Sequence, residues 1–248
     1  MEFQPIKKYA ISLMKNEENE GRANDPAHKF YEIPHTLKII FNDIVTDDKH
    51  SNGFNILETG EIKSMHGFII SYQEEIKELV VRIRSYEQDE YDMRRFFLKK
   101  GENKISVIKV EGHCKAKYDF PVFDIDKSFI SSESIIEIDA PIVFKVPEIY
   151  YENLTLNSQK CFFVFQEKTQ CAHFIAKCSS TSITMNKIYV EKAFIVLNYS
   201  KVYDLFVEKS LTYEVKDTSV INIIKKPHTE IKDTAIDRTS YTTEVFFE

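Results

Sequence analysis

Tryptophan is absent, glycine is scarce and unevenly placed, and no apolar run approaches the length of a membrane span. The glycine shortage is the most restrictive of these. All six glycines lie at or before Gly112, and none are clustered as a phosphate-cradling loop requires. Kinases, P-loop nucleotidases and dinucleotide-dependent dehydrogenases are therefore excluded. The Gly-x-Ser-x-Gly elbow of common hydrolases is missing as well. The longest apolar runs, such as Cys161 to Phe165 and Ala193 to Leu197, fall far short of the ~20 residues of a spanning helix. Met1 to Lys15 mixes Gln4, Lys7 and Lys8 with short apolar pieces, unlike a secretory signal. The expectation is a soluble, cytoplasmic protein whose four cysteines, Cys114, Cys161, Cys171 and Cys178, are thiols rather than a disulfide framework.

What is present is a chain of 248 residues with a formal charge of -6 and 43% hydrophobic residues. That length suits one large β-rich domain or two small ones. The net negative charge argues against a surface wholly devoted to nucleic acid. Composition changes near residue 112, with the glycines before it and the cysteines after it. The resulting expectation is a β-rich subdomain over 1-112 and a second over 113-248, joined through Gly112 to Ser134. One continuous β domain is the alternative.

Most segments alternate with a period of two, the mark of a strand with one wet face. Leu79, Val81 and Ile83 alternate with Arg82 and Arg84, and Leu211, Tyr213 and Val215 alternate with Thr212, Glu214 and Lys216. Strands are also expected over Thr36 to Val45, Lys104 to Val110, Phe162 to Phe165, Ile188 to Asn198 and Val220 to Ile224, with an edge strand in Thr242 to Phe247. Alternation of this kind predicts a mainly β fold of antiparallel, sandwich-like sheets, with α+β as the variant. One prominent helix is expected near 87-100. Glu87, Asp89, Glu90 and Asp92 load its start, Arg94, Arg95, Lys99 and Lys100 its end, and Gly101 supplies a stop. Met93, Phe96 and Phe97 would form its buried stripe. No internal repeat is legible.

Three constellations invite a chemical reading. Cys161, Cys171, His173 and Cys178 are zinc-competent. If Phe162 to Phe165 and Ala172 to Ala176 form a hairpin, however, Cys171 and His173 share a face that Cys178 does not. Asp47, Asp48, Glu58 and Glu61-Ile62-Lys63 could hold a divalent ion beside a water-activating lysine, as in a metal-dependent nuclease or phosphodiesterase. The same Glu-x-Lys spacing recurs at Glu75, Glu102 and Glu230, so this composition generates it readily. His66 and His113 are the candidate general bases.

From Lys77 to Lys117 eleven Lys or Arg face seven Asp or Glu. That local positive excess makes Arg82, Arg84, Arg94, Arg95, Lys99 and Lys100 the candidate partner-binding residues. The sequence thus predicts a non-enzymatic interaction protein without cofactor or metal, binding a partner protein or assembling with itself through a β-rich surface. A divergent metal-dependent nuclease, or nucleic-acid binding through 77-117, is the competing expectation.

Overall fold

The computed structural model describes residues 33–46, 53–58, 68–83, 94–98, 102–116, 120–186, 188–234 and 244–247. Eighteen strands occupy them, with two short 3-10 turns and, among the described residues, no α-helix. In chain order they are β1 (Thr36–Thr46), β2 (Gly53–Glu58), β3 (Phe68–Gln73), β4 (Glu78–Ile83), β5 (Arg94–Leu98), β6 (Ile105–Ala116), β7 (Val122–Ile125), β8 (Ile130–Asp139) and β9 (Val143–Val146). There follow β10 (Tyr150–Gln159), β11 (Phe162–Phe165), β12 (Gln170–Ser179), β13 (Ser182–Thr184), β14 (Tyr189–Asn198), β15 (Lys201–Lys216), β16 (Val220–Lys225), β17 (Glu230–Asp233) and β18 (Glu244–Phe247).

Strands adjacent in sequence rarely pair. Instead β6, β8, β10, β12, β14, the second half of β15, and β17 stack in parallel as one series. A second series runs β7, β9, β11, β13, the first half of β15, β16 and β18. Each coil of chain gives one strand to each series, so the fold is a β-solenoid. Leu154, Phe174, Ala193, Leu211 and Ile231 stand in register at intervals of 18 to 20 residues. The rest of the coil is the long crossover that parallel neighbours require.

The apolar residues of the two series meet between them. Phe123, Phe144 and Phe163 form one buried column of the second series, with Phe144 edge-on to Phe163 at 6.0 Å. Phe165 of the second series lies edge-on to Phe174 of the first, also at 6.0 Å. Burying a side chain of this size contributes about 1.5–3 kcal/mol, and every coil repeats the contribution.

Turns between the series use left-handed backbone without glycine. Lys160, Ser180 and Tyr199 sit at φ 56°, 51° and 48° at equivalent corners, and Asp217 closes the next coil at 51°. Such a conformation costs a non-glycine residue about 1–2 kcal/mol. It is held by the backbone bonds that follow it: Phe162 N–H donates to Ile142, Ser182 to Cys161, Lys201 to Thr181 and Val220 to Ser200, at 2.8–3.0 Å.

At the N-terminal end the order of coils departs from the order of chain. β1 pairs with β4 on one side and β6 on the other, and β2 pairs with β5 and β7. The β1/β2 coil is therefore enclosed between the β4/β5 coil and the β6/β7 coil. Passing it means crossing about 10 Å, two strand spacings. Beyond β4 lies β3, the one antiparallel partner among the described strands, turned through Glu74–Ile76 and a left-handed Lys77.

The antiparallel sandwich with a prominent helix is therefore incorrect. Alternating polarity reports that one face of a strand is wet, and it carries no information on strand direction. A solenoid coil has a wet outer face even though its sheets are parallel. Within the expected helix over 87-100, Arg94–Leu98 is β5, paired along its length with β2. Residues 87–93, 99 and 100 lie outside the described residues, as does Met93. Pairing with β2 prevails there over the charge pattern that suggested helix ends. Nor do Phe162 to Phe165 and Ala172 to Ala176 form a hairpin: β11 pairs with β9 and β13, and β12 with β10 and β14. A repeat absent from residue identity is present in the fold. The segment from Gly112 to Ser134 runs from β6 into β8, and those two strands pair directly.

Gly112 is opposite Phe41 in the β1–β6 ladder. A Cβ there would stand 2.2 Å from the Phe41 carbonyl oxygen and 2.8 Å from its ring. Phe41 is buried and cannot retreat, since its ring lies 5.8 Å from that of Phe123. Gly112→Ala is expected to lower stability by about 2–3 kcal/mol, read as a lower denaturant midpoint at unchanged slope. Wild-type stability in this variant would contradict the β1–β6 register.

Candidate functional site

The first series carries its outward side chains in columns parallel to the solenoid axis, because in-register pairing repeats each position coil after coil. One column runs Val107, Ile135, Thr155, Ile175, Phe194 and Thr212. Ile135 is 40% exposed and Phe194 37%, so this column forms a partly apolar ridge. Beside it runs Lys109, Glu137, Asn157, Lys177 and Val196, and beyond that Glu111, Asp139, Gln159, Ser179 and Asn198. Apart from Asn198, these two columns line an open trough of about 470 Å³. On the other side of the ridge, His173 Nδ1 meets Asn153 Oδ1 at 3.1 Å.

Charges along the trough are partly matched within the chain. Lys109 pairs with Glu137 at 3.2 Å and Lys38 with Glu111 at 2.8 Å. Exposed pairs of this kind contribute about 0–1 kcal/mol each. Asp139 has no ion-pair partner among the described residues.

At the corner beneath the trough a buried polar ladder replaces apolar packing. Ser158 Oγ lies 2.9 Å from Thr181 Oγ1. Thr181 N–H donates to Ser200 Oγ at 3.1 Å, and Ser200 N–H donates to Ser219 Oγ at 3.0 Å. Each hydroxyl donates onward to a carbonyl of its own turn: Thr181 to Ser179, Ser200 to Asn198, Ser219 to Lys216. Thr181, Ser200 and Ser219 are buried, so the ladder satisfies donors that would otherwise be orphaned.

Cys161, Cys171 and Cys178 are free and buried. Burial raises the Cys171 thiol to about 12 and the Cys178 thiol to about 11, and drives Cys161 well above its ordinary value. They are neutral thiols filling core positions, unsuited to act as nucleophiles. The expected facing of the cysteine–histidine cluster needs correction. Cys171 and Cys178 both point inward and His173 outward. The strand bends at Ala172–His173, leaving buried Cys171 and Phe174 three residues apart. The same bend separates Tyr151 from Leu154 and Val190 from Ala193. Among the described residues no group of three His, Cys, Asp or Glu could hold a metal ion.

The basic candidates divide between the two series. Arg82 is exposed on β4, in register with Ile40 and Ile69. Arg94 and Arg95 lie on β5, in register with Phe54 and Asn55. Arg84, Lys99 and Lys100 lie outside the described residues. Of the carboxylates considered for a divalent ion, Glu58 ends β2, while Asp47, Asp48, Glu61 and Lys63 lie outside them. So does His66; His113 is exposed on β6.

The apolar ridge was not among the candidates read from sequence. Its signal is nonetheless present in the doublets Ile135–Ile136, Phe174–Ile175 and Phe194–Ile195, where strict alternation would place a polar residue outward. Comparison with family models, curated proteins and solved structures finds nothing that matches this chain.

Because the buried thiols hold their protons more tightly folded than unfolded, they favour the native state fully only below the ordinary thiol value of 9.0. Stability should fall as pH rises from that value toward about 11 and 12. Denaturation midpoints across this range are expected to decline less in Cys171→Ala/Cys178→Ala than in the wild type. An identical decline would show that other groups carry the dependence.

Proposed function

We propose that the chain is a non-enzymatic interaction protein that presents the outer face of its first strand series to a partner protein. The observation that carries this reading is the alignment of Ile135, Ile175 and Phe194 in one column, with Ile135 and Phe194 each more than a third exposed. Isolated exposed apolar residues are ordinary. A column of them beside a polar trough supplies what an interface needs, anchors that lose water on contact and a polar margin that fixes orientation.

The geometry favours an extended partner segment laid along the solenoid axis. Its apolar side chains would rest on the ridge, and its polar groups would meet Asn157, Lys177 and Gln159. The inert thiols are consistent with a role in contact rather than covalent chemistry, and Asp139 offers the trough a carboxylate for a cationic group of the partner.

The test compares wild type with Phe194→Glu as bait in the native extract, followed by titration with the purified partner. The substitution adds charge on the wet face and should leave the denaturation midpoint within about 0.5 kcal/mol. Partner affinity should fall about tenfold or more, equivalent to ~1.4 kcal/mol. Equal affinity of both baits for every retained protein would overturn the assignment of this face.

A further inference from the structure

Where the strands of the first series start, they carry outward side chains that belong neither to the ridge nor to the trough. Tyr150, Gln170, Tyr189 and Phe206 form a column of their own, in register from β10 through β12 and β14 to β15. The residues that follow them, Tyr151, Cys171, Val190 and Val207, are buried, so alternation turns the column outward. Tyr150 is 52% exposed and Tyr189 50%; Gln170 between them is exposed and Phe206 half-buried. We propose that this column binds a proline-rich peptide segment in the polyproline II conformation, laid along the solenoid axis. The proposal rests on the reading of the chain as an interaction protein, and its site lies across the strand bend from the ridge.

Spacing points to this ligand first. Tyr150 and Tyr189 stand two strand spacings apart, about 10 Å, and a polyproline II helix advances ~9 Å in its three-residue turn. A chain running along the column therefore brings the same position of successive turns to the two rings. Tyrosine rings give a large contact area at small entropic cost, which suits the rigid pyrrolidine. Gln170 occupies the level between them, and its amide can donate to a backbone carbonyl that this conformation leaves unpaired. Phe206 lies 5.0 Å from Tyr189 and backs the second ring.

Charge selects against the other polymers that stack on aromatic rings. Acids beside the column are matched by bases of the chain itself: Glu191 pairs with Lys209 and Glu208 with Lys226. A single-stranded nucleic acid needs a row of cations for its phosphates as well as rings for its bases, and Lys209 and Lys226 are engaged. A glycan surrounds each of its rings with hydroxyls and calls for many polar partners, whereas this column supplies one amide. A proline-rich segment is neutral, lacks N–H groups at its prolines and asks for few hydrogen bonds. Its preformed conformation loses little entropy on docking, so an open row of rings suffices to hold it.

Titration calorimetry on the full chain tests this with an all-proline peptide of about twelve residues, four turns of the helix. A glycine–serine peptide of the same length, a neutral glucan and an oligothymidylate are the competing ligands. The wild type is expected to take up the proline peptide and none of the others at equal concentration. Tyr150→Ala and Tyr189→Ala should each weaken that binding about tenfold or more. Gln170→Ala, which removes no ring, should weaken it by a smaller factor at an unchanged denaturation midpoint. Phe194→Glu should bind the proline peptide like the wild type, which separates failure of this column from failure of the ridge. No uptake of the proline peptide by the wild type, equal uptake of the glycine–serine peptide, binding unchanged in the tyrosine variants, or preference for the glucan or the oligothymidylate would each overturn the proposal.

Discussion

In-register parallel stacking is the constraint on which the rest of this molecule depends. Once a coil lies on its neighbour with backbone bonds in register, each side chain falls above its counterpart, and every property of a position becomes a property of a column. Inward columns need only compatible volumes. Leu154, Phe174, Ala193, Leu211 and Ile231 share one column despite wide differences in size, because the opposite series can compensate. Phe165 fills space beside Phe174 in this way.

The corners follow from the same constraint. A coil must turn sharply between the two series, and in the C-terminal half it does so with Lys160, Ser180, Tyr199 and Asp217 in left-handed backbone rather than with glycine. Stacked corners bury polar groups, and the Ser158–Thr181 contact together with the Thr181–Ser200–Ser219 ladder satisfies them from coil to coil. Gly112 serves another purpose, the close approach of β6 to Phe41.

The function proposed above belongs to surfaces rather than to a pocket of converging groups. Cys161, Cys171 and Cys178 are inside the core and neutral, and the strand bend separates Cys171 from His173. The outer columns alternate carboxylate, amide, ammonium and apolar groups along a straight path.

Strand position was decided largely by the sequence alone. Thr36 to Val45, Phe162 to Phe165, Ile188 to Asn198 and Val220 to Ile224 coincide closely with β1, β11, β14 and β16, because alternation and β-branched or aromatic content act within a few residues. That Cys161, Cys171 and Cys178 are free thiols agrees with the expectation from sequence. Which strands pair, in which direction, and which outward residues align were decided only by the tertiary structure. From β8 onward in the first series partners lie 18 to 20 residues apart and share volume rather than identity, so neither the coil repeat nor the Ile135–Ile175–Phe194 ridge is visible to local pattern. The strand at Arg94–Leu98 marks the limit most sharply: its charges resemble the flanks of a helix, and only the edge of β2, some forty residues earlier in the chain, makes it a strand.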